Sequence, residues 1–453
     1  MSGTSHAPPG PKGRRLANMR ERLRDFPAFL ERLNRDYGDV VSYQLPKMDC
    51  CAVFDADVIR EMLVDKRTSF PKGEIFEVSN KFITQPGVFT SEGDDHRRRR
   101  NLVAQAFSEE RVAGYAEIMV ENARAIQRRW SAGETIDVNA ETYRIARRVA
   151  FGSFFGRDRQ DDEAIGDQVV RGIKWDIALG FLPFTPLLRK LPLPGNVRAE
   201  RGCRALDELV SEAVHRARES PDEGADLTSY LVHARDEGGV DPPFTDEEIR
   251  NEIYILLLAN FDPMAASLAW SIDYIARNPE VRDKLEQEAD AVLRGRLIAV
   301  ADYERLPYAR AVFQEAGRLT PPNYFFDRVA AEDCVLGDYL IPKGTVVQPC
   351  LSVCHRKEKY WPQAEEFRPE RWLDSEARAG CPEHAFLLFS HGPRSCLGRE
   401  FATIQGVYVL ASIAQRWRLE AVPGKPPKAD GKLVYIVKGA YPVLVRERPK
   451  PLG

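Results

Sequence analysis

The sequence predicts a predominantly helical protein carrying a minority of short strands. Three observations lead there. Helical patterning with charged faces and brief Gly or Pro breaks runs from Ser108 to about Asp241. One long apolar helix starts near Thr245. Strand-like runs are short and confined to residues 39–54 and 324–347.

In chain order, Met1 to Arg15 is polar and rich in Gly and Pro, with no apolar core of a signal peptide. Residues 1–20 are therefore expected to be a flexible leader, and residues 21–453 one two-lobed domain of a cytoplasmic protein. From Pro27 to Leu63 helical and strand signals mix. Asp39 to Leu45 alternates as a half-buried strand does, and Cys51 to Phe54 is its expected partner. The segment Phe181 to Pro194 interrupts the helical region with four prolines among Leu and Phe. An apolar loop of this kind marks a substrate entrance, a peripheral membrane contact or a loop packed on its own domain.

Thr245-Asp-Glu-Glu248 is a capping box, with Phe244 and Ile249 placed for a hydrophobic staple. The helix it opens is expected to end at Asn278-Pro279, about 32 residues or roughly 48 Å long. Being apolar on nearly all sides at its middle, it must cross the interior. A second helix, Pro307 to Leu319, stops at Pro321-Pro322. Tyr324 to Phe326, Cys334 to Leu336 and Thr345 to Val347 read as strands, with a turn at Pro342 to Gly344. An irregular Trp- and Pro-rich stretch, Tyr360 to Trp372, precedes a final helix from near Cys396 to Arg416.

Composition bounds the function. The chain has 453 residues, 43% apolar and 29% charged, as in a soluble globular protein large enough for two lobes. A net charge of −3 gives no bulk attraction to nucleic acid. No apolar run reaches the roughly 18–20 residues of a membrane span. Eight cysteines in so long a chain do not form a disulfide framework, and seven read as small core residues.

Cys396 is the exception. It lies in Phe389-Ser-His-Gly-Pro-Arg-Ser-Cys-Leu-Gly398. Gly392 permits a sharp turn under a planar cofactor. The helix start at the cysteine favours a thiolate. Gly398 lets the backbone approach the cofactor plane, Arg394 can reach a carboxylate, and Phe389 shields the sulfur. This run resembles the Phe-x-x-Gly-x-Arg-x-Cys-x-Gly signature of the cytochrome P450 family at every defined position.

The resemblance spans roughly Pro27 to Arg448. It implies a mainly α lobe with a smaller β-rich lobe (the cytochrome P450 fold), haem b as cofactor and Cys396 as the iron ligand. It implies haem contacts at His96, Arg100, Ala259, Arg328, Phe389, Ser390, Arg394, Leu397, Gly398 and Ala402. Glu315-Ala-Gly-Arg318 is similar to the family's Glu-x-x-Arg, and Arg371 in Pro369-Glu-Arg completes a structural ion-pair trio. In His96-Arg-Arg-Arg-Arg100, the resemblance assigns His96 and Arg100 to a haem propionate. Arg97, Arg98 and Arg99 are left for an acidic electron donor of the ferredoxin or flavodoxin type.

The sequence departs from the family on the long helix. Where members carry Ala-Gly-x-(Asp/Glu)-Thr-Thr, this chain has Ala259-Asn-Phe-Asp-Pro-Met264. Asp262 keeps the acid expected to carry protons. Pro263 has no hydroxyl, and because it has no N–H it leaves the carbonyl of Ala259 without its helical donor. The expected reaction is insertion of one oxygen atom from O2 into a lipophilic small molecule. The alternative is peroxide-dependent or isomerising chemistry. A non-catalytic recruiting role is at odds with the retention of Cys396, Arg394 and Arg100. Candidate pocket walls are Phe82 to Phe89 (Val88 among them), Ile255, Leu258, Asn260, Asn323, Tyr324, Phe325 and Leu433 to Val437 (Ile436 among them). A monomer is expected.

Overall fold

The computed structural model describes residues 6–448 apart from 73–85, 157–163, 167, 170, 173–174, 176–178, 180–184, 221–225, 236–241, 377–379 and 432–433. Phe82, Leu433 and part of the Phe181–Pro194 loop lie outside the described residues.

The chain starts earlier than expected. Its leader was placed at residues 1–20, but the chain is docked from His6 onward. Ser42 Oγ donates to the carbonyl of Pro8 at 2.8 Å, and Leu340 N donates to His6 O at 3.1 Å. Extended, proline-rich backbone has carbonyls to spare, and a sheet edge supplies the donors. Helix α1 (Arg15–Arg24) follows, then α2 (Phe26–Tyr37), capped by Asp25 accepting from Ala28 N at 3.1 Å.

The predicted hairpin forms from β1 (Val40–Leu45) and β2 (Met48–Val53), paired antiparallel from Val40 opposite Val53. After α3 (Ala56–Arg60) come the helices α4 (Gly93–Gln105) and α5 (Glu109–Arg129). Strand β3 (Thr135–Asp137) leads into α6 (Val138–Phe155), and α7 (Pro194–Glu219) and α8 (Leu227–His233) follow.

Helix α9 (Asp246–Arg277) then runs 32 residues. Its capping box is formed: Glu248 N donates to Thr245 Oγ at 3.2 Å and Thr245 N to a Glu248 oxygen at 2.9 Å. α9 is the one described helix long and apolar enough to span a membrane, and it is mostly buried inside the protein. It continues unbroken through Pro263, packed along α6 on one side. Helices α10 (Pro279–Leu293) and α11 (Pro307–Leu319) close the α lobe, with α11 ending before the paired prolines as the sequence predicts.

The remaining strands are β4 (Arg328–Val329), β5 (Cys334–Leu336), β6 (Tyr339–Ile341) and β7 (Val346–Pro349). A four-stranded sheet has the order β1-β2-β7-β4. β2 and β7 are parallel, and a parallel pair requires a crossover. Here most of the α lobe is that crossover, so the sheet cannot close until the helices have passed over it. Tyr324 to Phe326, expected as a strand, contributes only an isolated bridge from Phe325 to Cys350.

The final helix α12 (Arg399–Arg416) starts three residues beyond Cys396. It feeds β8 (Trp417–Ala421), β9 (Ala429–Asp430), β10 (Ile436–Val437) and β11 (Pro442–Glu447). One large apolar core fills the helical lobe and two smaller ones lie under the sheet. All eight cysteines are free thiols.

Candidate haem site

Two distant segments form the centre of the site. On α9, Ala259 is accessible although Ile255, Leu256, Leu257, Phe261 and Met264 around it are buried. Leu258, Asn260, Asp262 and Pro263 beside it are half-buried, so α9 opens along this stretch. On the other side lies the loop before α12. Cys396 N donates to Phe389 O at 2.8 Å, closing the loop into a turn. Ser390 and Gly392 take positive φ of 58° and 76°. At Gly392 a side chain would meet Leu63 O at 2.7 Å, so this turn admits only glycine. Gly398 differs: a Cβ there would find nothing nearer than Cys396 Sγ at 3.9 Å. The protein leaves that space unfilled.

Cys396 is reachable by a water-sized sphere, yet burial pushes its thiol pKa up. Both hold if the sulfur faces an internal void walled by protein. The Gly398 backbone N–H, Arg399 and Arg100 act the other way and favour the thiolate. Leu397, Ala402 and Phe389 stand half-buried near it, and Arg399 lies 5.7 Å from the Phe389 ring.

Beside the void is a cluster of cations. Lys72, His96, Arg100, Arg328 and Arg394 all have pKa values lowered by burial, and the first four are lowered further by neighbouring cations of the cluster. His96 falls to about 4 and Arg328 to about 10. Glu92 is the carboxylate most of them share: Arg394 binds it with Nη2, and Lys72 N donates to it at 3.0 Å. Arg394 Nη1 is buried with no partner. So many buried cations around one carboxylate is a costly arrangement until more negative charge arrives. A planar macrocycle carrying two carboxylates meets that need. The residues fit haem.

Arg100 also bridges to the cysteine loop, donating from Nη1 to Ser395 O at 2.9 Å. Its neighbours differ from expectation. Arg99 is 5% exposed and paired with Asp95 at 2.8 Å, Glu252 at 3.0 Å and Glu248 at 3.2 Å. Arg98 binds Glu248 at 2.7 Å and the carbonyls of Pro242 and Pro243. Both arginines tie α4 to α9 and are not docking groups; of the three, Arg97 stands at the surface.

Among the expected pocket walls, Val88 and Ile255 are buried and Leu258, Asn260 and Ile436 are half-buried. Val88 N donates to Glu252 at 2.9 Å, so a buried carboxylate of α9 anchors the segment before α4. Asn260 Oδ1 is buried without a partner. Asn323 is exposed. Tyr324 is not a wall. It is fully buried in a core under the sheet, edge-on to Phe26 and tilted against Phe325, with its hydroxyl on Gly431 O. Phe325 packs in the same cluster, 4.8 Å from Phe26. An aromatic Tyr-Phe-Phe run next to a cofactor reads as pocket lining, but the apolar face of α2 captures its first two rings.

The trio on α11 is intact and dry. Glu315 and Arg318 are both 0% exposed and paired at 2.9 Å; Arg371 meets Glu315 at 2.9 Å, as does Trp372 Nε1. Asp262 lies on the α6 side of α9, where Tyr143 donates to it at 2.5 Å. Lys72, Glu92, Glu252 and Tyr143 were missed in the sequence. None sits in a motif, and a polar residue outside a motif reads as surface.

The model of the family described as Cytochrome P450 matches residues 8–445. The chain is a cytochrome P450. Cyclooctatin synthase of Streptomyces melanosporofaciens is 33% identical over 397 residues, 86% of this chain and 84% of the relative. Cyclooctat-9-en-7-ol 5-monooxygenase of the same organism is 30% identical, with 86% and 84% covered. Pentalenene oxygenase of Streptomyces avermitilis is 28% identical, covering 91% of this chain and 90% of the relative. The solved cyanobacterial CYP120A1 bound to retinoic acid superposes with a TM-score of 0.81 at 21% identity, covering 98% of this chain and all of that one. This P450 is thus a haem-containing monooxygenase.

Proposed function

We propose that this P450 oxidises a cyclic isoprenoid bearing few polar groups, with Cys396 as the axial ligand of its haem. The observation that carries the substrate is Asn260: one unpartnered buried amide oxygen on a pocket wall otherwise built from Val88, Ile255 and Leu258. Such a wall takes an apolar skeleton and one hydrogen-bonding group. The names of three similar proteins, for cyclooctatin, cyclooctat-9-en-7-ol and pentalenene, support the same chemistry.

When bound, the haem supplies the activation of O2. The chain does the rest. Lys72, His96, Arg100, Arg328 and Arg394 would hold its carboxylates, and Ala259, Phe389, Ser390, Leu397, Gly398 and Ala402 would complete the site around it. The N–H of Gly398 and the guanidinium of Arg100 stabilise the charge of the thiolate. Asp262 takes protons from the exterior toward the pocket. Pro263 offers no hydroxyl, so a substrate hydroxyl held at Asn260, or an ordered water, completes that path. Electrons come from a ferredoxin- or flavodoxin-type donor that meets the exposed Arg97. The enzyme works in the cytoplasm, with Leu187 and Leu191, exposed at 60% and 42%, positioned for peripheral membrane contact.

The test is a panel of cyclic isoprenoid alkenes and alcohols. A spectral shift on binding, then turnover with an NADPH-driven ferredoxin system, supports the reading. Turnover with peroxide alone and none with the redox partner overturns it in favour of the alternative reaction.

A further inference from the structure

A carboxylate in the middle of a long apolar helix needs hydrogen-bond donors to hold its orientation. Asp262 sits between Phe261 and Pro263, with buried Met264 and Ala265 beyond. The facing helix supplies a donor. Tyr143 Oη donates to Asp262 Oδ1 at 2.5 Å. The two helices are fixed against each other nearby by Phe151, whose ring lies parallel to Phe261 at 6.1 Å between centroids. Tyr143 and Asp262 are both half-buried, so the pair stands at the boundary between the pocket wall and the outside. Burial first, and the charge of Asp262 second, keep the phenol protonated and hence a donor. The next position is Pro263, which brings no hydroxyl to share the carboxylate's work.

We infer that Tyr143 is a positioning residue that sets the orientation of Asp262 for proton delivery; this rests on the reading of Asp262 as the proton carrier. In this role Tyr143 acts through the carboxylate. Its phenol holds one oxygen of Asp262 on the α6 side, which fixes where the other oxygen points.

The experiment compares Tyr143→Phe, Tyr143→His and Asp262→Asn as haem-loaded enzymes with a substrate that the panel identifies. Tyr143→Phe should lower product formed per NADPH about tenfold, the loss of one charge-assisted hydrogen bond. Substrate affinity and thermal midpoint should stay at wild-type values, and the solvent deuterium isotope effect on turnover should rise. Tyr143→His, which restores a donor, should recover part of the coupling. A second readout needs no turnover: the carboxylate infrared band missing in Asp262→Asn should be shifted in Tyr143→Phe. Wild-type coupling and an unshifted band in Tyr143→Phe, with Asp262→Asn impaired, overturn the inference while leaving Asp262 in its role. Wild-type coupling in Asp262→Asn overturns both. Loss of stability or substrate affinity in parallel with turnover makes Tyr143 a brace and also overturns it.

Discussion

The two faces of the void are built in opposite ways. The cysteine side is built on a short local loop: Phe389 O accepts from Cys396 N at 2.8 Å and Gly392 makes the turn, with Arg100 of α4 tying the loop down at Ser395 O. The α9 side is assembled from distant pieces. Asp262 depends on Tyr143 from α6, and Glu252 on Arg99 from α4 and Val88 before it. A local device must keep its sequence to keep its shape. A side whose positions are set by partners elsewhere can exchange residues, and this chain departs from the family pattern at three positions there, Asn260, Pro263 and Met264. The chemistry can therefore vary on one face while the other stays constant.

The sharpest way to break this contrast is on the local side. Cys396→Ser should abolish monooxygenase turnover and the red-shifted Soret band of the ferrous carbon monoxide complex, with haem still bound by the cation cluster. Retention of that band would show that another residue ligates the iron. Next in size is Glu315→Gln, away from both faces. It leaves Arg318 and Arg371 buried without their shared carboxylate, a cost of about 3–5 kcal/mol. Chemical denaturation should show that loss with the spectrum of the remaining folded enzyme unchanged.

On the assembled side the effects should be smaller. Glu252→Gln weakens the pairing with Arg99 at 3.0 Å and the anchor on Val88 N at 2.9 Å. Because Arg99 keeps Asp95 and Glu248, the expected destabilisation is about 1–3 kcal/mol. Substrate affinity should fall with it, since Val88 belongs to the proposed pocket wall. Pro263→Thr restores a hydroxyl beside Asp262 and should reduce hydrogen peroxide released per NADPH by a few-fold. A rise instead would show that the proline is adapted to its substrate.

How much of this was legible in the sequence follows the same division. The capping box of α9, the end of α11 before Pro321 and the cysteine loop are written in adjacent residues, and each is where the sequence places it. Lys72, Tyr143 and Glu252 were not legible, because their meaning lies in partners far along the chain. Tyr324 was misplaced for the same reason: its position next to the strand suggests the pocket, but Phe26 and Gly431 O hold it in a core. The leader was misjudged because Pro-rich backbone reads as mobile until a sheet edge is present to receive it.

The run Arg97-Arg98-Arg99 gives the smallest expected effect and the most direct comparison, because three identical side chains in a row have different surroundings. Arg97 has a side chain 56% exposed, Arg98 14% and Arg99 6%. In sequence they form one basic patch; on α4, at 100° per residue, they cannot share a face. A surface charge steers an encounter and is screened by salt, whereas a buried, paired one holds structure. Arg97→Glu should therefore slow reduction by an acidic electron donor a few-fold at low ionic strength, the difference vanishing in high salt, with no change in thermal midpoint. Arg99→Leu should do the reverse: it lowers the midpoint because Glu252 loses its cation, and it leaves the salt dependence of reduction unchanged. If Arg99→Leu altered the salt dependence and Arg97→Glu did not, the donor would meet a part of the surface other than that around Arg97.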